Sequence, residues 1–332
     1  MSRRAAVTLL IVVAALSAGA RARQQSTFRA QAQGVSVDVS VRDGNVPVPG
    51  LGADDFILYD NGVRQTITSV AMSAVPVDVT IFLGTNNQTA SRQVETLSAD
   101  LRRIAALLRP EDRVRLLTLE NQVTDVFGWR RSADAGAGIN VQIGGVQSLY
   151  DACVLALMHP PDPDRRHLIV AVTDGVEFGS VADSTTVREI ARRAEAVLHL
   201  VVVTPVGPPP SATLPGAPGQ AQAMANLANP VPNTTAAGYL FLRATWFHVM
   251  PDEQGLERLQ EAARLTGGTV RQGTSGETLV DAFRRAFDDF RQSYLLRYTA
   301  EGVPPAGWHE LRVEISNGRK FSIRARRGYV GG

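Results

Sequence analysis

Three apolar runs set the frame of this chain: Val77–Leu83, His167–Thr173 and Val197–Thr204. Each is short and rich in β-branched residues, and each is bounded by polar or turn-forming residues. A run of that kind reads as a strand buried on both faces of a parallel sheet. Between them lie stretches with apolar residues at steps of three and four. Val94, Leu97, Leu101, Ile104 and Leu108 make one stripe over Ser91–Leu108, which Pro110 ends. Leu149–Met158, Ser184–Ala196 and Asp252–Leu265 read as further helices, the last closed by Thr266-Gly267-Gly268. Thr274-x-x-Glu277 reads as a capping box that opens a helix with Leu279, Phe283, Ala286, Phe287 and Phe290 on one face. Strands alternating with helices predict a doubly wound, mostly parallel α/β sheet, with Arg113–Leu119 and Gln122–Phe127 as a further strand pair.

At both ends the pattern changes to alternation with period two. Val35, Val37, Val39 and Val41 alternate with Ser36, Asp38, Ser40 and Arg42. Phe56–Tyr59 and Thr66–Val70 read as strands about the tight turn Asp60-Asn61-Gly62. Near the other terminus, Tyr294–Tyr298, Glu310–Ile315 and Phe321–Ala325 read as strands, with Asn317-Gly318 as the last hairpin. Either group is too small to be stable separately. The expectation is one β-sandwich built from both ends, with the α/β domain inserted in it. The predicted boundaries are a leader over residues 1–22, an N-terminal β module over 23–74, an α/β domain over 75–292 and a C-terminal β segment over 293–332. Pro205–Gly238 carries no charged residue, is rich in Pro, Ala, Gly, Asn and Gln, and reads as a mobile insertion loop or a partner-binding arm.

Composition adds three points. The first residues run basic, then apolar, then small, with Ala18-Gly19-Ala20 and Ala20-Arg21-Ala22 as cleavage patterns. That is a secretory signal peptide, so the expected location is exported, periplasmic or extracellular. The formal net charge is +2, and taking Arg3, Arg4 and Arg21 from the 34 basic residues leaves 31 against 32 acidic ones, a net −1. Nothing in that balance points to nucleic acid or a membrane surface. Cys153 is the single cysteine, so no intrachain disulfide or cysteine-zinc cluster can form.

Motifs for catalysis are missing. The five histidines form no H-E-x-x-H pair, and there is no G-x-S-x-G elbow or phosphate-binding G-x-x-x-x-G-K-[ST] loop. A Ser148–His167–Asp174 triad fails on distance, because one strand separates His167 from Asp174 by roughly 20 Å. Asp162-x-Asp164 sits between prolines as a solvated loop. Asn87-Gln-Thr89 and Asn233-Thr-Thr235 match the glycosylation sequon, with no bearing on function expected. The expectation is a protein that is not an enzyme.

Several passages together resemble the von Willebrand factor type A family, and the whole mature chain resembles exported, vWFA-related proteins of acidobacteria. They are Val48-x-Gly50-Leu51 with Asp55-Phe56-x-x-Tyr59-Asp60-Asn61-Gly62; Gly144-Gly145 with Ser148-Leu149-Tyr150-Asp151-Ala152; Thr173-Asp174-Gly175; Thr266-Gly267-Gly268; and Tyr294-Leu295-Leu296-x-Tyr298. The resemblance implies a divalent-cation site, the metal-ion-dependent adhesion site or MIDAS, at the carboxyl edge of the sheet. Its Asp-x-Ser-x-Ser positions fall on Gly84, Asn86 and Gln88, its Thr on Gln147, and its later Asp on Asp174. Only Asp174 matches. Mg²⁺ demands hard, charged oxygen ligands, and losing one carboxylate near 4 Å forfeits up to about 8 kcal/mol of attraction at an effective dielectric of 20. The site is therefore expected to be degenerate and metal-free, with no cofactor. The alternative is a Mg²⁺-dependent adhesion module using Asp174. Asn86, Gln88, Ser148 and Asp174 are the candidate contacts to a protein partner, on the usual ligand edge of such sheets. The same residues read equally well as a helix-capping loop and a turn.

Overall fold

A computed structural model describes residues 34–83, 99–119, 123–137, 148–162, 164–173, 177, 180–202, 253–273, 278–316 and 318–332. The leader, the start of the predicted 91–108 helix, the 274–277 box and the 205–238 insertion lie outside these residues.

The chain opens with β1 (Gly34–Asp43), β2 (Val46–Pro47), β3 (Phe56–Asp60), β4 (Val63–Gln65) and β5 (Ile67–Met72). Asn61 and Gly62 both take positive φ, 47° and 80°, as a tight β3–β4 hairpin requires. Then come β6 (Val77–Leu83), helix α1 (99–105), β7 (Arg113–Thr118), β8 (Thr124–Arg131), α2 (Leu149–Leu157), β9 (Arg166–Thr173), α3 (Ser184–Ala191) and β10 (Val197–Val202). The remainder is α4 (Glu253–Leu265), β11 (Val270–Gln272), α5 (Leu279–Arg291), β12 (Tyr294–Thr299), β13 (Gly307–Ile315), β14 (Ser322–Ala325) and β15 (Gly328–Gly331).

The middle of the chain forms a six-stranded sheet in the order β11-β10-β9-β6-β7-β8. The β11–β10, β10–β9, β9–β6 and β6–β7 ladders are parallel, and β8 is an antiparallel edge. Every residue of β9 and β10 is buried, which is why both read as unbroken apolar runs. One face packs Val79, Ile81 and Val170 on Leu101, Ile104, Phe283 and Phe287 of α1 and α5. The other packs Phe82, Ile169 and Leu198 on Leu149, Cys153 and Leu259 of α2 and α4. Successive residues of one strand thus enter opposite cores, the period-two geometry of a strand.

The two ends of the chain pair with each other. β1 lies antiparallel to β12, with Gly34 opposite Thr299 and Val39 opposite Tyr294. That sheet runs β14-β1-β12-β5, with β2 on β1, and a second runs β15-β13-β3-β4. Val37 and Val39 of the first share a buried cluster with Phe56, Leu58 and Ile315 of the second. Inside that cluster several of the quoted motifs meet. The Tyr294 hydroxyl donates to the Val48 carbonyl at 2.6 Å and accepts from Leu51 N–H at 3.1 Å. The Tyr298 hydroxyl donates to Asp60 at 2.8 Å. These strands are called the β module below.

Five local expectations are corrected. The strands flanking Asn317-Gly318 are not a hairpin: β13 pairs with β3 and β15, whereas β14 pairs with β1 in the other sheet. The predicted Thr66–Val70 strand is present as β5 but is not the hairpin partner of β3: that partner is β4, and β5 crosses to β12 in the other sheet. The start of α5 is Thr278, whose hydroxyl accepts from Asp281 N–H at 3.2 Å, four residues beyond the expected cap. α3 stops at Ala191 rather than Ala196, leaving the chain free to turn into β10. β15, β11 and β2 are additional short strands. The Thr266-Gly267-Gly268 turn has a steric basis. Gly267 has φ 83°, and a Cβ on Gly268 would lie 1.8 Å from the Leu198 carbonyl oxygen.

Candidate functional site

The carboxyl ends of β6, β9 and β10 lie at one edge of the six-stranded sheet. In sequence Gly84, Asn86 and Gln88 follow β6, Asp174 follows β9 and Gln147 precedes α2, and all five lie outside the described residues. Ser148 is described. It is the residue before α2, 1% exposed, with its N–H on the Leu119 carbonyl at 2.9 Å. Its hydroxyl is enclosed, so Ser148 anchors the helix start rather than presenting a side chain at the surface.

What meets the start of α2 is a carboxylate that sequence reasoning passed over. Glu177 accepts from Tyr150 N–H at 3.0 Å, from Ser180 N–H at 2.8 Å and from the Ser180 hydroxyl at 2.9 Å. Ser180 Oγ in turn accepts from Asp151 N–H at 3.1 Å. Asp151 returns the contact, taking Val181 N–H at 3.0 Å and Ala182 N–H at 2.8 Å. The first amides of a helix lack intrahelical partners and carry the positive end of its dipole. Here the segment after β9 supplies the negative partner, and the helix supplies one back. The nearest sequence signal was Glu177 three residues beyond Asp174, but a cap acting across 27 residues has no local pattern.

Close by, Cys153 is fully buried, and burial, reinforced by Glu177, pushes its thiol well above the ordinary range. It is an inert core residue rather than a nucleophile.

The opposite, amino edge is built differently. Arg113 and Arg165 both hold Asp78, at 2.8 Å and 2.7 Å from Oδ1, and Arg113 also reaches Asp162 at 2.6 Å. His167 lies at this edge. Its Nδ1 meets the His159 carbonyl at 3.2 Å, so Nδ1 carries the hydrogen. Its Nε2 then accepts from Thr80 Oγ1 at 2.9 Å. Burial lowers the His167 pKa to about 4, so the ring is neutral and fully engaged.

An Asp–His pair lies in the β module. His309 Nδ1 donates to Asp60 at 2.8 Å, and Asp60 also accepts from the Tyr329 hydroxyl at 3.0 Å. The imidazole stacks on Tyr329 at 4.4 Å, and a Cβ at Gly331 would lie 2.9 Å from Nε2. A ring closed in this way is a buried polar anchor, not an accessible base.

Among the described residues, no group of three or more His, Cys, Asp or Glu side chains is gathered as a metal would need. Among the same residues, no helix is long and apolar enough to cross a membrane.

The solved structures that resemble this fold are von Willebrand factor type A domain proteins. They include BatB from Bacteroides thetaiotaomicron, 13% identical over 64% of this chain and 98% of its own, at TM-score 0.38. The VWA domain of SpRpn10 is 12% identical over 64% and 95%, at TM-score 0.36. A von Willebrand factor type A protein from Catenulispora acidiphila is 11% identical over 87% and 75%, at TM-score 0.43. No family model matches the chain, and no curated protein matches it.

Proposed function

We propose that this chain is an exported, non-enzymatic protein-interaction module of the adhesion or scaffold kind, whose carboxyl edge binds a protein partner without a metal ion. In this reading the six-stranded sheet is doubly wound, and the two terminal sheets form one sandwich into which the α/β body is inserted. The basic, apolar, small-residue leader supports export.

The observation that carries the metal-free reading is the chemistry at the site. Gly84, Asn86, Gln88 and Gln147 stand where charged and hydroxyl ligands would be needed. The described carboxylates at the start of α2 and after β9, Asp151 and Glu177, accept from backbone N–H groups. Three donors on Glu177 and two on Asp151 take five of the roughly eight lone-pair sites that the two carboxylates offer, reducing what is left for a cation. The edge then offers a partner polar amides around Asn86, Gln88 and Asp174.

The test is calorimetric titration of the chain from residue 23 onward with MgCl₂ and MnCl₂, alongside a pull-down from the native envelope with and without chelator. No metal heat and chelator-insensitive capture are expected. A metal heat abolished by Asp174→Ala would establish the Mg²⁺-dependent module in its place.

A further inference from the structure

The joint between the α/β body and the β module turns on one carboxylate. Asp289, on α5, accepts from Arg42 on β1 at 2.8 Å and from Arg324 on β14. Arg324 also donates through Nε to the Gly267 carbonyl at 2.9 Å. A short way along the same seam, Arg166 of β9 binds Asp38 of β1 and the Ser293 hydroxyl, with its guanidinium 4.0 Å from the Phe290 ring centroid.

His199, from the middle of β10, stands in this seam and is 2% exposed. Its Nδ1 meets Thr269 Oγ1 at 2.7 Å. Its Nε2 has no hydrogen-bond partner among the described residues and lies 3.9 Å from Asp289 Oδ2. A cavity of about 10 Å³ adjoins it, lined by Asp38, Ser40, His199, Ser293 and Arg324 among others. That is room for about one water molecule.

We propose that His199 is an acid-operated release for this joint: proton uptake by its imidazole loosens β1 and β14 from the α/β body. The charged groups facing it are Asp289 and, across the cavity, Asp38, with Arg42, Arg166 and Arg324 as their partners. Both carboxylates are already engaged by arginines, so an added imidazolium must displace a guanidinium or draw in water. The apolar faces of the sheet give water no entry. The cavity does: it lies between the two parts, lined by the polar Asp38, Ser40, Ser293 and Arg324 as well as Val197 and Phe290. Burial, with Arg324 adding to it and Asp289 opposing it, lowers the His199 pKa to about 4. In an opened, hydrated joint the ring returns toward its ordinary value near 6.5. The closed joint is therefore fully favoured above pH 6.5 and weakens as pH falls toward 4.

The experiment is amide hydrogen exchange on the full chain from pH 7 to pH 5, expressed as protection factors. Those values of 4 and 6.5 give about a 20-fold loss of protection from pH 7 to pH 5 in the seam strands β1 and β14. The β9 amides report opening of the whole sheet, which His167 also makes acid-sensitive, so the seam effect is the part of the loss that His199→Asn removes. His199→Asn keeps a polar group near Thr269 and removes the titration, so its seam protection should change less with pH. An imidazole titration of His199 by NMR in the unmutated chain reads the same question without a substitution. A His199 value near 6.5 in the folded chain, an unchanged seam at pH 5, or a seam loss that persists undiminished in His199→Asn overturns the proposal.

Discussion

At the amino edge of the six-stranded sheet, Asp78 meets Arg113 and Arg165, Asp112 meets Arg291, and Asp38 meets Arg166. At the carboxyl edge, Glu177 and Asp151 accept from backbone amides and a serine hydroxyl. The same residue type thus has two uses in one sheet. Arginine-bound carboxylates tie separate elements into fixed positions, and removing either partner strands a buried charge. Amide-bound carboxylates shape the loops that carry them and leave the surrounding fold almost independent of them. The amino edge is where the structure is held, and the carboxyl edge is where its sequence can vary without dismantling the sheet.

The largest effect that would test this contrast comes from Asp112. It is 0% exposed and takes Val77 N–H and Arg109 N–H, each at 2.8 Å, besides Arg291. Asp112→Ala orphans two amides and a guanidinium together. A loss of about 3–5 kcal/mol is expected, read as a drop in the urea midpoint. Asp162→Ala is the control. Asp162 is solvent-exposed at the same edge, and its loss should leave the midpoint where it was. Equal midpoints for both variants would mean that the amino edge is not a lock.

Acid is the next lever. His167 is neutral in the fold with a pKa of about 4, against about 6.5 unfolded. The unfolded chain therefore binds more protons between these values, and stability rises with pH across that window. It is fully present above pH 6.5 and declines as pH falls toward 4. The 2.5-unit gap corresponds to about 3 kcal/mol. Urea midpoints measured at pH 7 and pH 4 for the unmutated chain and for His167→Asn should show the variant less sensitive to acid. A parallel pH response in both would place the sensitivity elsewhere.

Much of the scaffold was legible in the residues. The runs at Val77, His167 and Val197 are buried on both faces, and only a parallel, twice-covered strand looks like that. Asn61-Gly62 marked its turn because few other residues accept positive φ at both positions. Periodicity, however, reports which face of a strand is buried and not which strand lies beside it. That is why the sheet change at Thr66 and the false hairpin at Asn317-Gly318 were misread. Partners far apart in sequence were equally invisible: Arg166 and Asp38 are 128 residues apart, and Glu177 caps a helix 27 residues upstream. At the candidate site the residue types at Gly84, Asn86, Gln88 and Gln147 could be read directly, whereas the Glu177 clamp could be found only in three dimensions.

A smaller effect is expected from that clamp. Glu177→Ala removes the acceptor for Tyr150 N–H and Ser180 N–H at a helix start, a change worth about 1–2 kcal/mol. Glu177→Gln keeps an acceptor and should lose less. The sharper readout is local. Amide exchange should quicken at Tyr150 and Asp151 while the β6 and β9 amides stay protected. A loss spread over the whole sheet would make Glu177 a structural lock like Asp112 and erase the difference between the two edges.

The smallest effect, none at all, is expected from divalent cations. A ligand at one hundred times its Kd raises stability by about 2.7 kcal/mol, so thermal unfolding with MgCl₂ or MnCl₂ is a sensitive gauge of even a modest site. The fold already binds its described edge carboxylates through N–H groups, and the proposed site positions Gly84, Asn86, Gln88 and Gln147 are a glycine and three amides. Magnesium therefore has Asp174 as its one charged ligand among the five aligned positions, and would have to complete an octahedron largely from water. The unfolding temperature should be the same with cation, with chelator and in Asp174→Ala. An upward shift with cation that vanishes in Asp174→Ala would show an edge organised by a metal, and the amide-bound carboxylates would then be supports for that site rather than its replacement.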